Sequence, residues 1–247
     1  MPRYKITIEY DGSGLAGWQR QPDVPSVQQH IEEAIEKFCG QAVRLHTAGR
    51  TDAGVHALAQ VGHFDMEKDF PPEKVTAAVN FFLKEQNISI LKSELVSEEF
   101  HARFSATKRH YIYRIINRHA PLAVERNRAW QVPVPLDIKK MRKAAKHLIG
   151  KHDFSSFRDA QCQAKTPIRT MDEIRIEQYD ELIEIHVSAQ SFLHHMVRNI
   201  TGTLKMVGQG KWEPDYIKEI IEAKDRQRAG PTAAAQGLFL VQVDYPE

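Results

Sequence analysis

Several groups of residues in this chain have types and spacings that could do chemistry. The first is Gly49-Arg-Thr-Asp-Ala-Gly-Val-His56. Its two glycines bracket an arginine and an aspartate, and glycine allows positive φ and close approach by a bound molecule. Such a turn could present the Asp52 carboxylate rigidly, but aspartate in a tight turn also commonly caps backbone amides. The second is Ser191-Phe-Leu-His-His-Met-Val-Arg-Asn199. Phe192, Met196, Ile200, Leu204 and Val207 recur at helical spacing, and Arg198 falls nearly opposite to them. Arg198 is then a solvated arginine or a cation lining a cleft, and periodicity does not choose. The third is residues 103–128, where Arg103, Lys108, Arg109, Arg114, Arg118, Arg126 and Arg128 face a single acid, Glu125. Phe100, Phe104, Tyr111 and Tyr113 are interleaved with them. Cations neutralise phosphates and aromatic faces accept unstacked bases, a combination suited to RNA. A strand with a solvated basic face gives the same pattern.

Two other patterns lead elsewhere. Gly12-Ser-Gly-Leu-Ala-Gly17 has the glycine spacing of a dinucleotide fingerprint, but that motif requires its last glycines to open a helix. Pro22 and Pro25 intervene and the helix signal begins at Ser26, so the segment reads as a glycine-rich surface loop without NAD chemistry. Among the twelve histidines, His194 and His195 are adjacent and would point about 100° apart on a helix, which is not a facing pair. Asp52 and His56 lie four apart in a loop, and Cys162 stands alone. No set matches a metal-ligand spacing, so no metal is expected.

The elements that must hold these residues follow from pattern. Residues 3–10 alternate as a half-buried strand, and Ser26 with Gln29 forms a capping box ahead of a helix ending at Gly40. Strands at 42–48 and 58–66 flank the Asp52 loop, Pro71 and Pro72 open a second helix, and a strand follows near 87–95. The second half repeats this order. It has strands at 108–117 and near 129–133, and a helix from Asp137 to Gly150. Strands at 170–179 and 181–189, helices near 192–207 and 214–223 and a last strand at 237–244 follow. Each half reads β-α-β-β-α-β, the ferredoxin-like order. The expected architecture is α+β, with domains 1–105 and 106–247. Together they would form a continuous, mostly antiparallel sheet with helices on one side and a central basic cleft.

Composition narrows the class. The 247 residues carry 34 Lys plus Arg against 32 Asp plus Glu, a balance of +2, and 42% are hydrophobic, as in ordinary globular chains. Residues 1–105 hold 11 basic against 15 acidic side chains, −4, while 106–247 hold 23 against 17, +6. Cys39 and Cys162 are too few for a disulfide framework, no apolar run approaches a membrane span, and Met1–Tyr10 lacks a signal-peptide core. A cytoplasmic location is expected.

In order along the chain, the segments resemble one family, the tRNA pseudouridine synthases of the A type. The likeness rests on Tyr10-Asp-Gly with Gly17-Trp-Gln-Arg-Gln21, Ala48-Gly-Arg-Thr-Asp-Ala-Gly-Val-His56, and Phe100-His-Ala-Arg-Phe-Ser-Ala-Thr107. It continues through Tyr111-Ile-Tyr113, Asp153-Phe-Ser-Ser-Phe-Arg158, Phe192–Asn199, Ala223-Lys-Asp-Arg226 and Gly237-Leu-Phe-Leu240. Leu15 departs from the aromatic that members often carry before Gly-Trp. The resemblance implies isomerisation of uridine to pseudouridine at positions 38, 39 and 40 of the tRNA anticodon arm, without cofactor or metal, by a homodimer. It implies Asp52 as the catalytic aspartate, Arg198 as its arginine partner and Tyr111 packed on the target base. It further implies Arg50 in base flipping, with tRNA contacts from Phe100, His101, Ala102, Arg103 and Phe104 and from Gln161, Cys162, Gln163, Ala164 and Lys165. The alternative is a non-catalytic RNA-binding module built on the same sheet.

Overall fold

A computed structural model describes residues 1–246, and the chain divides into two compact units. The first runs from Met1 to Thr107 and takes in the stretch that begins at Phe239; the second is Lys108–Leu238. The last strand is therefore shared out differently from a simple division at residue 105. Both units are mixed α+β with mostly antiparallel strands.

In the first unit, β1 (Arg3–Tyr10) lies antiparallel between β3 (His56–Asp65) and β4 (Ile88–Val96). Alternation works as the pattern requires: Tyr4, Ile6, Ile8 and Tyr10 are buried on one face. α1 (Val27–Cys39) buries Val27, Ile31, Ala34 and Ile35. Its amino end is capped by Ser26 Oγ, which accepts from Gln29 N at 3.3 Å. The reciprocal half of the capping box is absent from this pairing, because the Gln29 side chain donates to Glu33 instead. α2 (Pro72–Leu83) packs on α1 and β4.

The strand expected at 42–48 shortens to β2 (His46–Thr47). Side chains of α1 capture the preceding backbone: Leu45 N donates to Glu32 Oε1 at 3.0 Å, and Gln28 Nε2 donates to Leu45 O at 3.2 Å. β10 (Leu238–Asp244) joins β3 in parallel, with Phe239 opposite His56.

In the second unit, β5 (Lys108–Ile116) pairs with β9 (Leu182–Ala189), which pairs with β8 (Ile168–Tyr179). β6 (Trp130–Gln131) adds to β5. Asp137 caps α3 (Ile138–Ala145) by accepting from Lys140 N at 3.0 Å. The helix does not continue to Gly150 as expected: it tightens into a 3₁₀ turn, Lys146–Leu148. Gly150, at φ 100°, then opens β7 (Gly150–Asp153), which pairs with β8. No apolar alternation marks β7 in sequence. α4 (Met196–Gly208) starts four residues later than its periodicity suggests, and α5 (Tyr216–Ala223) follows. Among the described residues, no helix is long and apolar enough to cross a membrane.

Candidate active site

The Asp52 loop is braced through its backbone. Gly49 O accepts from the side chain of fully buried Gln60 at 2.7 Å. Thr51 O accepts from Trp18 N at 3.0 Å, and Asp52 O accepts from Val55 N at 3.1 Å, closing a four-residue turn. Thr51 Oγ1 lies 2.7 Å from the hydroxyl of buried Tyr10, whose pKa burial pushes up to about 12, so the phenol stays neutral.

The glycine-rich loop after β1 is not a free surface loop. A Cβ on Gly12 would sit 2.1 Å from Val55 O, and one on Gly17 would sit 2.6 Å from Thr51 O. Those two glycines lay their backbone directly on the turn that carries Asp52. This packing, rather than phosphate binding, accounts for glycine at both positions. Asp52 itself is half-buried and Arg50 is exposed.

His56, at the end of the loop, is fixed as well. Gly12 N approaches its Nδ1 at 3.0 Å, the same nitrogen lies 3.2 Å from Asp11 Oδ1, and the ring stacks on Phe239 at 4.6 Å. Sequence reasoning assigned no role to Tyr10, Thr51, Gln60 or His56. The signal was available as polar residues inside or beside a motif with nothing else to explain them.

Residues 97–107 form a second feature of the first unit. Arg3 grips Asp65 through two nitrogens, at 2.7 and 2.8 Å, and also donates to Phe100 O at 2.9 Å. Ala102 is fully buried: its N–H donates to His63 Nδ1 at 3.1 Å and its carbonyl accepts from Tyr245 at 2.7 Å. Its neighbours Arg103 and Phe104 are exposed, Phe104 at 76%. The Arg103 guanidinium stands 5.7 Å over the Phe104 ring, and His101 lies 4.4 Å from that ring. Phe100 and His101 are half-buried. The rings of His46 and His63 stack at 4.9 Å, with His101 edge-on to His63 at 4.7 Å. Burial, reinforced by His101, His46 and Arg3, drives the His63 pKa down to about 4. Burial also lowers that of His101.

In the second unit, Tyr111 is half-buried on β5 and meets Phe192 edge-on at 5.1 Å. Arg198 stands in the first turn of α4, half-buried, with Nε donating to Ala233 O at 2.8 Å. α4 differs from the one-sided helix expected, because Asn199, Thr201, Gly202 and Thr203 are buried along with its apolar residues.

His194 and His195 precede α4 rather than lying on it. Their ring centroids lie 3.9 Å apart with the planes tilted by 31°, and His195 Nδ1 is bonded to Asp159 at 2.7 Å. Arg158 gathers the 161–165 segment by donating to Cys162 O at 2.6 Å and Ala164 O at 2.9 Å. Gln161, Gln163 and Lys165 are exposed, while Cys162 and Ala164 are half-buried. Glu177, Glu184 and His186 bring ligand-type atoms within 4.8 Å of one another, yet both carboxylates already have other partners. Arg175 and Tyr179 bond Glu177, and Arg114 bonds Glu184. That constellation is an ion-pair network across β8 and β9.

Comparison with known proteins adds the family. The family model described as tRNA pseudouridine synthase matches residues 6–105 and 144–246. The chain is similar to "tRNA pseudouridine synthase A" of Mesorhizobium japonicum, with 54% identity over 248 residues, covering 100% of each chain. The protein of that name from Paramagnetospirillum magneticum is 52% identical over 245 residues, 99% of this chain and 96% of the relative. That from Maricaulis maris is 51% identical over 246 residues, 100% and 99% respectively.

Proposed function

The chain belongs to the tRNA pseudouridine synthase family and is an isomerase acting on tRNA, and from that premise we propose that it converts uridines 38, 39 and 40 of the anticodon arm, with Asp52 as the catalytic carboxylate. The observation that carries this reading is the bracing of the Asp52 turn, whose backbone is held by Trp18 N, Val55 N and the close approach of Gly12 and Gly17. A catalytic group must be held close to its productive geometry, and a turn braced through main chain meets that requirement.

The reaction breaks the bond from C1′ to N1, turns the uracil and joins C1′ to C5. The hydrogen leaving C5 departs as a proton and N1 takes one up, so there is no redox change and no net hydrolysis. An ionised Asp52 can attack as a nucleophile, remove a proton or stabilise positive charge developing on the sugar. Arg198 supplies the guanidinium that keeps this carboxylate ionised and oriented.

Tyr111 packs on the target base. Exposed Arg50 fills the space left by the extruded nucleotide, since a base inside a stacked helix is out of reach. Phe100, His101, Arg103 and Phe104, together with the 161–165 segment, contact the tRNA, while buried Ala102 contributes by holding that loop's backbone. The working protein is a cytoplasmic homodimer whose subunits cooperate on one tRNA.

The test is to incubate the protein with tRNA bearing uridine at 38, 39 and 40 and to map pseudouridine along the chain. Conversion within the anticodon arm is expected, and conversion confined to another arm overturns the assignment. Arg198→Ala is expected to abolish conversion with its Tm near that of the parent. A fully active variant removes the role of Arg198.

A further inference from the structure

The first turns of α4 are crossed by a strap, residues 230–234, that lies against the helix at van der Waals limit. A Cβ on Gly202 would meet Pro231 O at 1.7 Å, and one on Gly230 would meet Thr203 Cα and N at 2.7 Å. Backbone therefore rests on backbone, and polar side chains fasten it. Thr203 Oγ1 accepts from Gly230 N at 2.9 Å while donating to Asn199 O at 2.7 Å. Asn199, fully buried, holds Phe157 O through Nδ2 at 2.9 Å. Its Oδ1 accepts from Thr232 Oγ1 at 2.7 Å and from Arg226 Nη2 at 3.0 Å. Arg226 also donates to Gly230 O at 2.9 Å and Thr232 Oγ1 at 3.0 Å. The far end of the strap is fixed by the buried Tyr113 hydroxyl, which donates to Ala234 O at 2.6 Å.

What this assembly holds in place is Ala233, and Ala233 is doubly bonded to Arg198. Ala233 N donates to Arg198 O at 3.1 Å, and Arg198 Nε donates to Ala233 O at 2.8 Å. A bond through Nε fixes the plane of the guanidinium without engaging either terminal nitrogen in that contact. Arg226 meanwhile spends its planar fork on hydrogen bonds to neutral acceptors, a carbonyl, an amide oxygen and a hydroxyl, and burial lowers its pKa against the opposing pull of the Asp159 carboxylate. Fastening a loop with the fork of a half-buried arginine carries a desolvation cost that a neutral side chain would avoid. A lysine, with one point of charge, does not reproduce the fork.

We propose that Arg226 and Asn199 are positioning residues for the isomerisation, acting through the strap to hold the Arg198 guanidinium in its working orientation. The proposal rests on the reading of Arg198 given above. Neither residue needs to touch the substrate.

The experiment compares Arg226→Lys, Arg198→Lys and the double variant, measuring kcat and KM for tRNA well below each variant's unfolding temperature. Arg226→Lys is expected to lower kcat by roughly 10–100-fold with KM little changed, the scale of a misplaced catalytic group. Arg198→Lys is expected to lower kcat at least as far, and the double variant to be no worse than Arg198→Lys alone, because the two act on one group. Full activity in Arg198→Lys defeats the reading of Arg198 and the proposal with it. Losses that multiply in the double variant leave that reading intact and overturn the proposal alone. So does an Arg226→Lys protein that loses thermal stability but keeps kcat. Should Arg226→Lys fail to fold, Thr232→Val removes the shared hydroxyl from an exposed position, and an unchanged kcat there overturns the proposal equally.

Discussion

Asp52 and Arg198 are both charged groups held on otherwise ordinary scaffolds, but the two regions hold them by different means. The Asp52 turn is braced chiefly main chain to main chain: an internal hydrogen bond from Val55 N, an amide from Trp18, and the bare backbone of Gly12 and Gly17 pressed against it, with side-chain bonds from Gln60 and Tyr10 added at its edge. The Arg198 region also starts from close backbone contact, at Gly202 and Gly230, but it is fastened by the side chains of Tyr113, Asn199, Thr203 and Arg226. The first arrangement tolerates no addition of volume at Gly12 or Gly17, and only Gln60 and Tyr10 add polar side-chain bonds to it. The second is expected to tolerate neither added volume nor a changed polar side chain, and a lost hydroxyl there disturbs the strap whose Ala233 carbonyl holds Arg198, the proposed partner of Asp52. Main-chain bracing suits a group whose position must be absolute; side-chain fastening suits one whose orientation is set through an intermediary.

Gly12→Ala carries the largest expected effect, because its Cβ would fall 2.1 Å from Val55 O. Stability should drop by about 1–3 kcal/mol or more, as for other forced overpacking, and activity should fall with it. Denaturant titration beside turnover checks both, and a stable, active Gly12→Ala protein would show that the turn is not braced as described.

Tyr113→Phe sharpens the other side. Loss of the bond to Ala234 O should cost about 1 kcal/mol of stability. The fall in kcat should exceed what the unfolded fraction accounts for, and turnover measured well below the melting transition decides this.

A smaller effect comes from the histidine cluster. His63 titrates near 4 when folded, below the ordinary histidine value of 6.5, so the unfolded chain binds a proton that the folded chain refuses between those values. Stability contributed by neutral His63 is therefore present above about pH 6.5 and is lost as pH falls toward 4. His63→Gln keeps an acceptor for Ala102 N and should flatten that acid-side decline, read from denaturation midpoints at successive pH values.

The smallest effect is expected at exposed Arg103. Arg103→Gln should weaken tRNA binding modestly and lower the slope of log affinity against log salt by about 1, as for one lost phosphate contact.

The two regions also differ in how far they could be read beforehand. The alternation of Tyr4, Ile6, Ile8 and Tyr10, the Ser26 cap and the bracketing glycines of the Asp52 turn are local patterns, and local patterns survive in sequence. The purpose of Gly12 and Gly17 was hidden, because the contact partner lies some forty residues away and the spacing imitates a phosphate loop. β2 shortened because Glu32 and Gln28 on α1 compete for the backbone at Leu45, a tertiary effect with no periodic trace. α4 begins late because His195 adopts a left-handed conformation, φ 59°, with its ring tied to Asp159 rather than continuing a helix. Tyr113, Asn199 and Arg226 all fall inside segments that carry the family likeness. Only the strap they converge on shows what they share, because its bonds span from 4 to 121 residues.

In the proposed reaction the carboxylate of Asp52 performs the chemistry. Its most direct test is release of the uridine C5 hydrogen from labelled tRNA in a single turnover by Asp52→Ala, with tRNA binding and Tm measured on the same preparation. The variant is expected to fold, to bind tRNA and to release hydrogen slower by on the order of 10⁴-fold or more. Release near the parent rate from that variant would contradict it.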